Sequence, residues 1–196
     1  MIFRLGLTGS IGMGKSTTAA LFAEEGCAVW DADAAVHRLY AQGGAAVEPI
    51  GSLFPEAIED GAVSRDRLRD IIGRDSAALS RIEAVVHPLV REDRARFSEN
   101  HPDTICVFDI PLLFETGSET EMDAVACVNI PPDLQRSRVL ARGTMNAEDL
   151  DRILARQMPN AEKCARSDFV IETDTIGHAR AQVRAVLEDI ERRRHA

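Results

Sequence analysis

The chain has 196 residues, of which 45% are hydrophobic and 28% are charged, a composition typical of a soluble globular domain with one substantial core. Its formal net charge of −9 argues against a nucleic-acid partner, because phosphate backbones are bound by clustered Lys and Arg. No apolar run approaches the roughly 20 residues of a membrane span, and residues 1–14 lack the charged start and long apolar run of a signal peptide.

Short apolar runs bounded by turn residues predict five strands, at residues 3–8, 27–31, 104–109, 123–130 and 168–172. Apolar residues at helical spacing predict helices between and after them, at residues 16–25, 34–42, 132–142, 147–158, 161–167 and 178–194. Strands that alternate with helices predict an α/β fold, with a parallel sheet of about five strands flanked by helices.

Residues 45–100 have helical patterns without a clear strand, and we interpret them as an inserted lobe. Proline and glycine are expected to break this stretch into separate helices, at Pro49, Gly51, Pro55, Gly61, Gly73 and Pro88. We therefore predict one domain over residues 1–196. Its parts are a core of residues 1–44, 101–135 and 168–196, a helical substrate lobe of residues 45–100 and a helical lid of residues 136–167.

The run GSIGMGKST after the first strand matches the Walker A pattern G-x-x-x-x-G-K-[ST]. Its glycines let backbone N–H groups turn toward a phosphate, and the N-terminus of the following helix adds partial positive charge. Lys15 is expected on the β- and γ-phosphates, and the Ser16 hydroxyl on Mg²⁺. The residues predicted to bind the nucleoside triphosphate are Gly9, Ile11, Gly12, Met13, Gly14, Lys15, Ser16 and Thr17.

Two classes of protein use such a site: kinases, and GTPase-like switches. The guanine-specific N-K-x-D motif is impossible here, because Lys15 follows Gly14 and Lys163 follows Glu162. The one D-x-x-G, at residues 174–177, follows the last strand and is better explained as the start of a helix. The pattern therefore favours a kinase over a switch. Which small molecule accepts the phosphate stays open at this point, and a nucleoside-monophosphate kinase or a sugar kinase is one alternative.

Carboxylates follow two of the predicted strands. Because ligands bind at the carboxyl ends of strands in such sheets, Asp33 is a candidate to accept a proton from a hydroxyl or to hold a metal. It could equally cap the helix of residues 34–42, and spacing alone leaves both alternatives open. Asp109 ends an apolar strand in the Walker B manner and is a candidate to position Mg²⁺, against a plain strand-end carboxylate.

Several motifs together resemble the dephospho-coenzyme A kinase family. They occur in the family's order, as TGSIGMGKST (8–17), DAD (31–33), DGAVSR (60–65), HPL (87–89), PLLFE (111–115), RILARQ (152–157) and KCARSD (163–168). The resemblance implies a P-loop NTPase fold and ATP-dependent phosphorylation of the ribose 3′-hydroxyl of dephospho-coenzyme A. That reaction is the last step of coenzyme A biosynthesis.

The resemblance also implies roles for particular residues. Asp33 matches the catalytic base, acting with Lys15 and with Arg142 of the lid. Three further residues are candidates for the acceptor pocket, namely Arg65, His87 and Glu115. Arg138 is expected in the lid beside Arg142.

Lys163 is one of only two lysines among 23 basic residues. A chain so rich in arginine that keeps an ammonium here suggests that Lys163 contacts a phosphate or orders the lid.

The chain departs from the family's pattern at two places. Residues 172–175 read E-T-D-T, where family members usually have an Asn-bearing turn near the adenine. Gly143 follows Arg142 in the position where Asp is common, and glycine is expected to make the backbone after Arg142 more flexible.

The expected small-molecule partners are ATP and dephospho-coenzyme A, with no nucleic acid and no membrane. A monomer is favoured. The four cysteines show no C-x-x-C spacing, so we expect buried thiols in a reducing cytoplasm.

Overall fold

The computed structural model describes residues 2–195. The strands are β1 (Phe3–Thr8), β2 (Ala28–Asp31), β3 (Ile58–Glu59), β4 (Ala62–Val63), β5 (Ile105–Asp109), β6 (Ala124–Asn129) and β7 (Phe169–Glu172). The helices are α1 (Lys15–Glu24), α2 (Ala32–Tyr40), α3 (Val47–Leu53), α4 (Arg65–Arg74), α5 (Ala78–Glu99), α6 (Pro132–Ala141), α7 (Ala147–Arg156), α8 (Asn160–Arg166) and α9 (Ile176–Arg194). These elements form two compact units, one of residues 2–30 and 101–195 and one of residues 31–100.

The main sheet has five strands in the order β2-β5-β1-β6-β7. β1 pairs in parallel with β5 and with β6, and β6 pairs in parallel with β7. This confirms the predicted α/β fold with a parallel sheet flanked by helices. Because the carboxyl ends of parallel strands meet at one edge, Thr8, Asp109 and Asn129 end neighbouring strands at the edge where ligands bind in such folds.

The core of the first unit encloses this sheet. All of β5 is buried, and so is β6 except for its last residue, as expected for a parallel sheet covered by helices on both faces. α1 contributes Leu21 and Phe22 to this core, and α9 contributes Val183 and Ile190. No helix among residues 2–195 combines the length and the apolar character needed to cross a membrane.

The second unit has a separate core, which includes Ile50, Phe54 and Ile82. The expectation of helices without a strand in residues 45–100 was wrong in one place, because β3 and β4 form a two-stranded antiparallel hairpin. Its turn is Asp60-Gly61, with φ of 49° and 76°, a dipeptide favoured in tight hairpin turns. Strands of two residues are too short to show the alternation that identifies a strand.

Proline and glycine were expected to break residues 45–100 into separate helices, and this was wrong at four positions. α3 contains Pro49 and Gly51, α4 contains Gly73, and α5 continues through Pro88 from Ala78 to Glu99. Proline removes one backbone hydrogen bond from a helix. Ile82 and Val86 before Pro88 and Arg94 after it are buried, so tertiary packing stabilises both halves of α5. The ends of the other predicted strands and helices agree with the structure to within two residues.

Candidate active site

The segment between β1 and α1 folds as a phosphate-binding loop. Gly12 and Gly14 have positive φ values of 78° and 90°, a conformation that side chains disfavour, and a Cβ at Gly12 would lie 2.3 Å from Cγ2 of Val139. Gly14 is the N-cap of α1, which begins at Lys15. The first backbone N–H groups of a helix lack partners inside it, so the loop and the start of α1 can bind an anion.

Lys15 extends to the end of the neighbouring strand. Its Nζ forms an ion pair with Oδ1 of Asp109, whose side chain is only 3% exposed. Leu7 of β1 is the register partner of Asp109 in β5, so the strand order itself brings the loop and the carboxylate together. The two residues that the sequence predicted for phosphate and for metal are therefore in contact, and their roles toward those ligands stay predictions.

Three polar side chains, whose contacts with the loop were not predicted from the sequence, each bond to one of its backbone groups. The bonds are Thr173 Oγ1 to Met13 O at 2.5 Å, Gln135 Nε2 to Ile11 O at 2.7 Å, and Ser10 N to Asn160 Oδ1 at 2.9 Å. Because 124 to 160 residues separate the partners along the chain, spacing within the motif gives no sign of them. Only Thr173 had been noted, as part of the departure from the family's usual turn.

A cavity of about 260 Å³ opens beside the phosphate-binding loop. Gly12 and Gly14 line it together with Arg138, Arg142 and residues 173–176. A cavity that adjoins a phosphate-binding loop is positioned to receive the nucleoside of a bound nucleotide, and we call it the donor cavity.

Arg138 fixes one wall of the donor cavity. Its two guanidinium nitrogens donate to the carbonyl oxygens of Thr173 and Asp174, each at 3.0 Å. Arg142 follows the last residue of α6, lines the same cavity and is exposed. The backbone N–H of Arg142 donates to the Val139 carbonyl, but no hydrogen-bond or ion-pair partner of its guanidinium is found among residues 2–195, so the guanidinium is available to a ligand.

Lys163 and Glu115, predicted for the lid and the acceptor pocket, contact one another. Lys163 is completely buried, and its Nζ lies 2.9 Å from Oε1 of Glu115. Burial alone would raise the pKa of the Glu115 carboxyl, but hydrogen bonds from Lys163 and from backbone N–H groups, together with the Lys163 charge, outweigh burial and hold this pKa below its ordinary value.

The remaining acceptor candidates lie in the second unit. Asp31, rather than Asp33, caps α2, because its carboxylate accepts a hydrogen bond from Ala34 N at 2.8 Å. The alternative that Asp33 is the helix cap was therefore wrong. Asp33 is exposed in the first turn of α2, and no residue among 2–195 donates a hydrogen bond to its carboxylate.

Arg65 and His87 are exposed on α4 and α5. The Arg65 guanidinium lies 5.9 Å from the centroid of the Tyr40 ring. An ion pair of 2.7 Å between Arg38 and Asp93 joins α2 to α5, so Asp33 and His87 are carried by two helices that pack together. Their roles toward an acceptor stay predictions.

A Walker loop after the central strand of a parallel sheet, with its lysine against a strand-end carboxylate, defines a P-loop nucleotide-binding enzyme. Solved structures share this fold. The protein TT1252 from Thermus thermophilus matches with a TM-score of 0.84 at 34% identity, over 95% of this chain and 97% of its own. A dephospho-CoA kinase from Campylobacter jejuni matches with a TM-score of 0.70 at 24% identity, over 97% of this chain and 98% of its own.

Sequence comparison identifies the family within this class. The family model described as dephospho-CoA kinase matches residues 3–178. A dephospho-CoA kinase from Ruegeria pomeroyi is 66% identical over 190 residues, which cover 97% of this chain and 96% of that protein. The chain belongs to the dephospho-CoA kinase family.

Family membership confirms the predicted enzyme class, a phosphotransferase of coenzyme A biosynthesis with ATP as the phosphate donor. It gives no support to the two alternatives, a different small-molecule kinase and a GTPase-like switch.

Proposed function

We propose that this chain transfers the γ-phosphoryl group of ATP to the ribose 3′-hydroxyl of dephospho-coenzyme A, giving coenzyme A and ADP. The observation that carries the proposal is the Lys15–Asp109 pair at the phosphate-binding loop, in a chain of the dephospho-CoA kinase family. The pair supports phosphoryl transfer because it places a cation and a buried carboxylate at the same edge of the sheet as the loop.

On the donor side, the loop N–H groups and Lys15 bind the β- and γ-phosphates and stabilise the charge of the transition state. The exposed Ser16 hydroxyl and the Asp109 carboxylate are the oxygen ligands that Mg²⁺ prefers, and Mg²⁺ bound with phosphates needs only one or two protein carboxylates. A cluster of three His, Cys, Asp or Glu side chains, which residues 2–195 lack, is not required. When bound, Mg²⁺ neutralises charge on the phosphate oxygens.

On the acceptor side, Asp33 acts as the general base. A carboxylate that orients the ribose 3′-hydroxyl accepts its proton as the new P–O bond forms and the bond to ADP breaks. The cap formed by Asp31 supports this role, because it leaves the Asp33 carboxylate without a structural hydrogen bond. Three other residues, Arg65, His87 and Glu115, are proposed to line the acceptor pocket.

Arg142 is proposed to bind the transferring phosphoryl group, because its guanidinium is exposed at the donor cavity and matches phosphate oxygens in a two-pronged geometry. In this proposal residues 45–100 receive the acceptor and residues 136–167 form the lid over the donor.

We also propose that the enzyme acts in the cytoplasm as a monomer, on small molecules rather than on nucleic acid or membranes. All four cysteines are free thiols, which supports a reducing compartment. Among them, burial raises the pKa of the Cys27 thiol to about 12, so this thiol stays protonated.

A coupled assay of ADP release tests the substrate assignment. The chain is incubated with ATP and Mg²⁺ and, separately, with dephospho-coenzyme A, AMP, CMP, gluconate or shikimate. We expect rapid ADP release with dephospho-coenzyme A alone, and a product phosphorylated at the 3′-hydroxyl. Faster turnover with any other acceptor would refute the assignment, and slow ATP hydrolysis that ignores every acceptor would refute the kinase.

A further inference from the structure

Lys163 is a buried cation that bridges two ends of one short segment. It lies in α8, and its Nζ donates to the Pro111 carbonyl at 2.9 Å and pairs with the Glu115 carboxylate at 2.9 Å. Removing an ammonium from water is costly unless the group is paired and hydrogen-bonded. These two bonds meet that condition, and together they fix both ends of residues 111–115, which we call the β5 exit segment.

The start of the β5 exit segment is also bonded to the strand that carries the Walker loop. The Pro111 carbonyl accepts a second hydrogen bond, at 3.2 Å, from Oγ1 of Thr8. Thr8 ends β1 and directly precedes the loop, and Pro111 lies two residues after Asp109. One carbonyl therefore joins α8 to both strands that position the Lys15–Asp109 pair.

The end of the β5 exit segment is held in the same way. Glu115 Oε1 accepts a hydrogen bond from Met158 N at 3.0 Å, just before α8, and the Arg166 guanidinium of α8 lies 4.5 Å from the centroid of the Phe114 ring. At the other end of the helix, Asn160 bonds to the Walker loop at Ser10 N. α8 is thus bonded to the loop and to the exit segment at once.

The donor cavity, in contrast, does not include this network. Among the described residues that line the cavity, none comes from residues 110–117 or from α8. A substitution at Lys163 is therefore expected to leave the residues that line the donor cavity unchanged in position.

We infer that Lys163 is a positioning residue for phosphoryl transfer. Through Pro111 and Glu115 it fixes the β5 exit segment, and through that segment it fixes the end of β5 that carries Asp109 of the Lys15–Asp109 pair. This inference rests on the proposed function. It replaces the predicted phosphate contact of Lys163 with contacts inside the protein.

The test compares Lys163→Met, Glu115→Gln and the double variant with the native enzyme, measuring KM for each substrate, kcat per folded molecule and Tm. Glu162→Gln, on the exposed surface of α8, is the matched control and should be unchanged. Because small misplacements of reacting groups have large kinetic effects, we expect Lys163→Met to lower kcat about 10- to 100-fold, with KM for ATP within about twofold of native.

The double variant separates positioning from stability. Removing both charges takes away the carboxylate charge that Lys163→Met leaves without its ammonium partner, so Tm should recover toward native while kcat stays low. Recovery of kcat together with Tm would overturn the inference, as would a native kcat in Lys163→Met. If Lys163→Met does not fold, the double variant is compared with Glu115→Gln alone, and an equal kcat in these two variants would overturn the inference. A native enzyme that ignores dephospho-coenzyme A would instead refute the proposed function.

Discussion

Lys15 and Arg138 of the first unit are held differently from Asp33 and His87 of the second unit. In the first unit, Lys15 is paired with a buried carboxylate and Arg138 bonds to two backbone carbonyls more than 30 residues away. In the second unit, Asp33 and His87 are exposed side chains on their own helices. A residue held by distant partners contributes to folding as well as to the reaction, whereas an exposed one contributes to the reaction only. Substitutions can therefore test whether these first-unit residues affect both stability and turnover, and the second-unit residues affect turnover alone.

Lys15→Ala should have the largest effect, because it removes both the phosphate-binding cation and an ion-pair partner of Asp109. We expect no measurable turnover of dephospho-coenzyme A and a lower free energy of unfolding, because the Asp109 carboxylate stays buried while its ammonium partner is lost. Turnover and urea unfolding measure the two effects. Adding Asp109→Asn to Lys15→Ala should restore part of the stability and none of the turnover. An active Lys15→Ala variant would remove the Walker assignment.

Asp33→Asn should lower turnover by about 10²- to 10⁴-fold, the usual effect of removing a positioned base. Because the side chain is exposed and Asp31 is the helix cap, Tm should hardly change and ATP should still bind. Steady-state kinetics, thermal unfolding and ATP titration provide the measurements.

Asp31→Asn is the matched control for Asp33→Asn. Asparagine is as good an N-cap as aspartate, so this variant should keep both its Tm and its turnover. A turnover loss in Asp31→Asn and not in Asp33→Asn would show that the base has been assigned to the wrong carboxylate.

The sequence predicted the first unit better than the second. Buried parallel strands are continuous apolar runs, and the Walker pattern is local, so β1, the loop and α1 are visible without a structure. The Asp60-Gly61 hairpin and the passage of α5 through Pro88 were missed, because two-residue strands carry no period and packing outweighs the local effect of proline.

Within the candidate site, the sequence identified chemistry but not contacts. Asp109 and Lys15 were chosen from separate motifs, and only the β1–β5 register shows that they meet. Gln135 and Asn160 were missed, since each bonds to the loop from more than 120 residues away. Lys163 was chosen for its rarity, which gives no indication that the side chain is buried.

Arg138→Met should have a smaller effect than either Lys15→Ala or Asp33→Asn, and on the donor only. Without the guanidinium, the Thr173 and Asp174 carbonyls lose the bonds that fix the wall of the donor cavity, so KM for ATP should rise about 3- to 10-fold, as expected for one or two lost hydrogen bonds. The value of kcat should stay close to native. Arg136 lies on the same helix as Arg138, and its exposed side chain forms an ion pair with Asp151 of α7. Arg136→Met should therefore change neither value. A rise in KM for dephospho-coenzyme A alone would place Arg138 on the acceptor side.

The smallest expected effect is the pH dependence contributed by Glu115. Its pKa in the folded chain lies below the ordinary value of 4.5, so the folded state holds the proton less tightly than the unfolded chain does. The stabilisation is therefore fully present above pH 4.5 and is lost as the pH falls through the lower, folded-state pKa. The difference in urea midpoint between the native chain and Glu115→Gln should accordingly be largest near pH 7 and shrink below pH 4.5. Lys163→Met should reduce this pH dependence, because the ammonium contributes to holding the pKa down. A difference in urea midpoint that grows as the pH falls would contradict the pairing of Glu115 with Lys163. It would also weaken the contrast between residues bonded to distant partners and exposed residues.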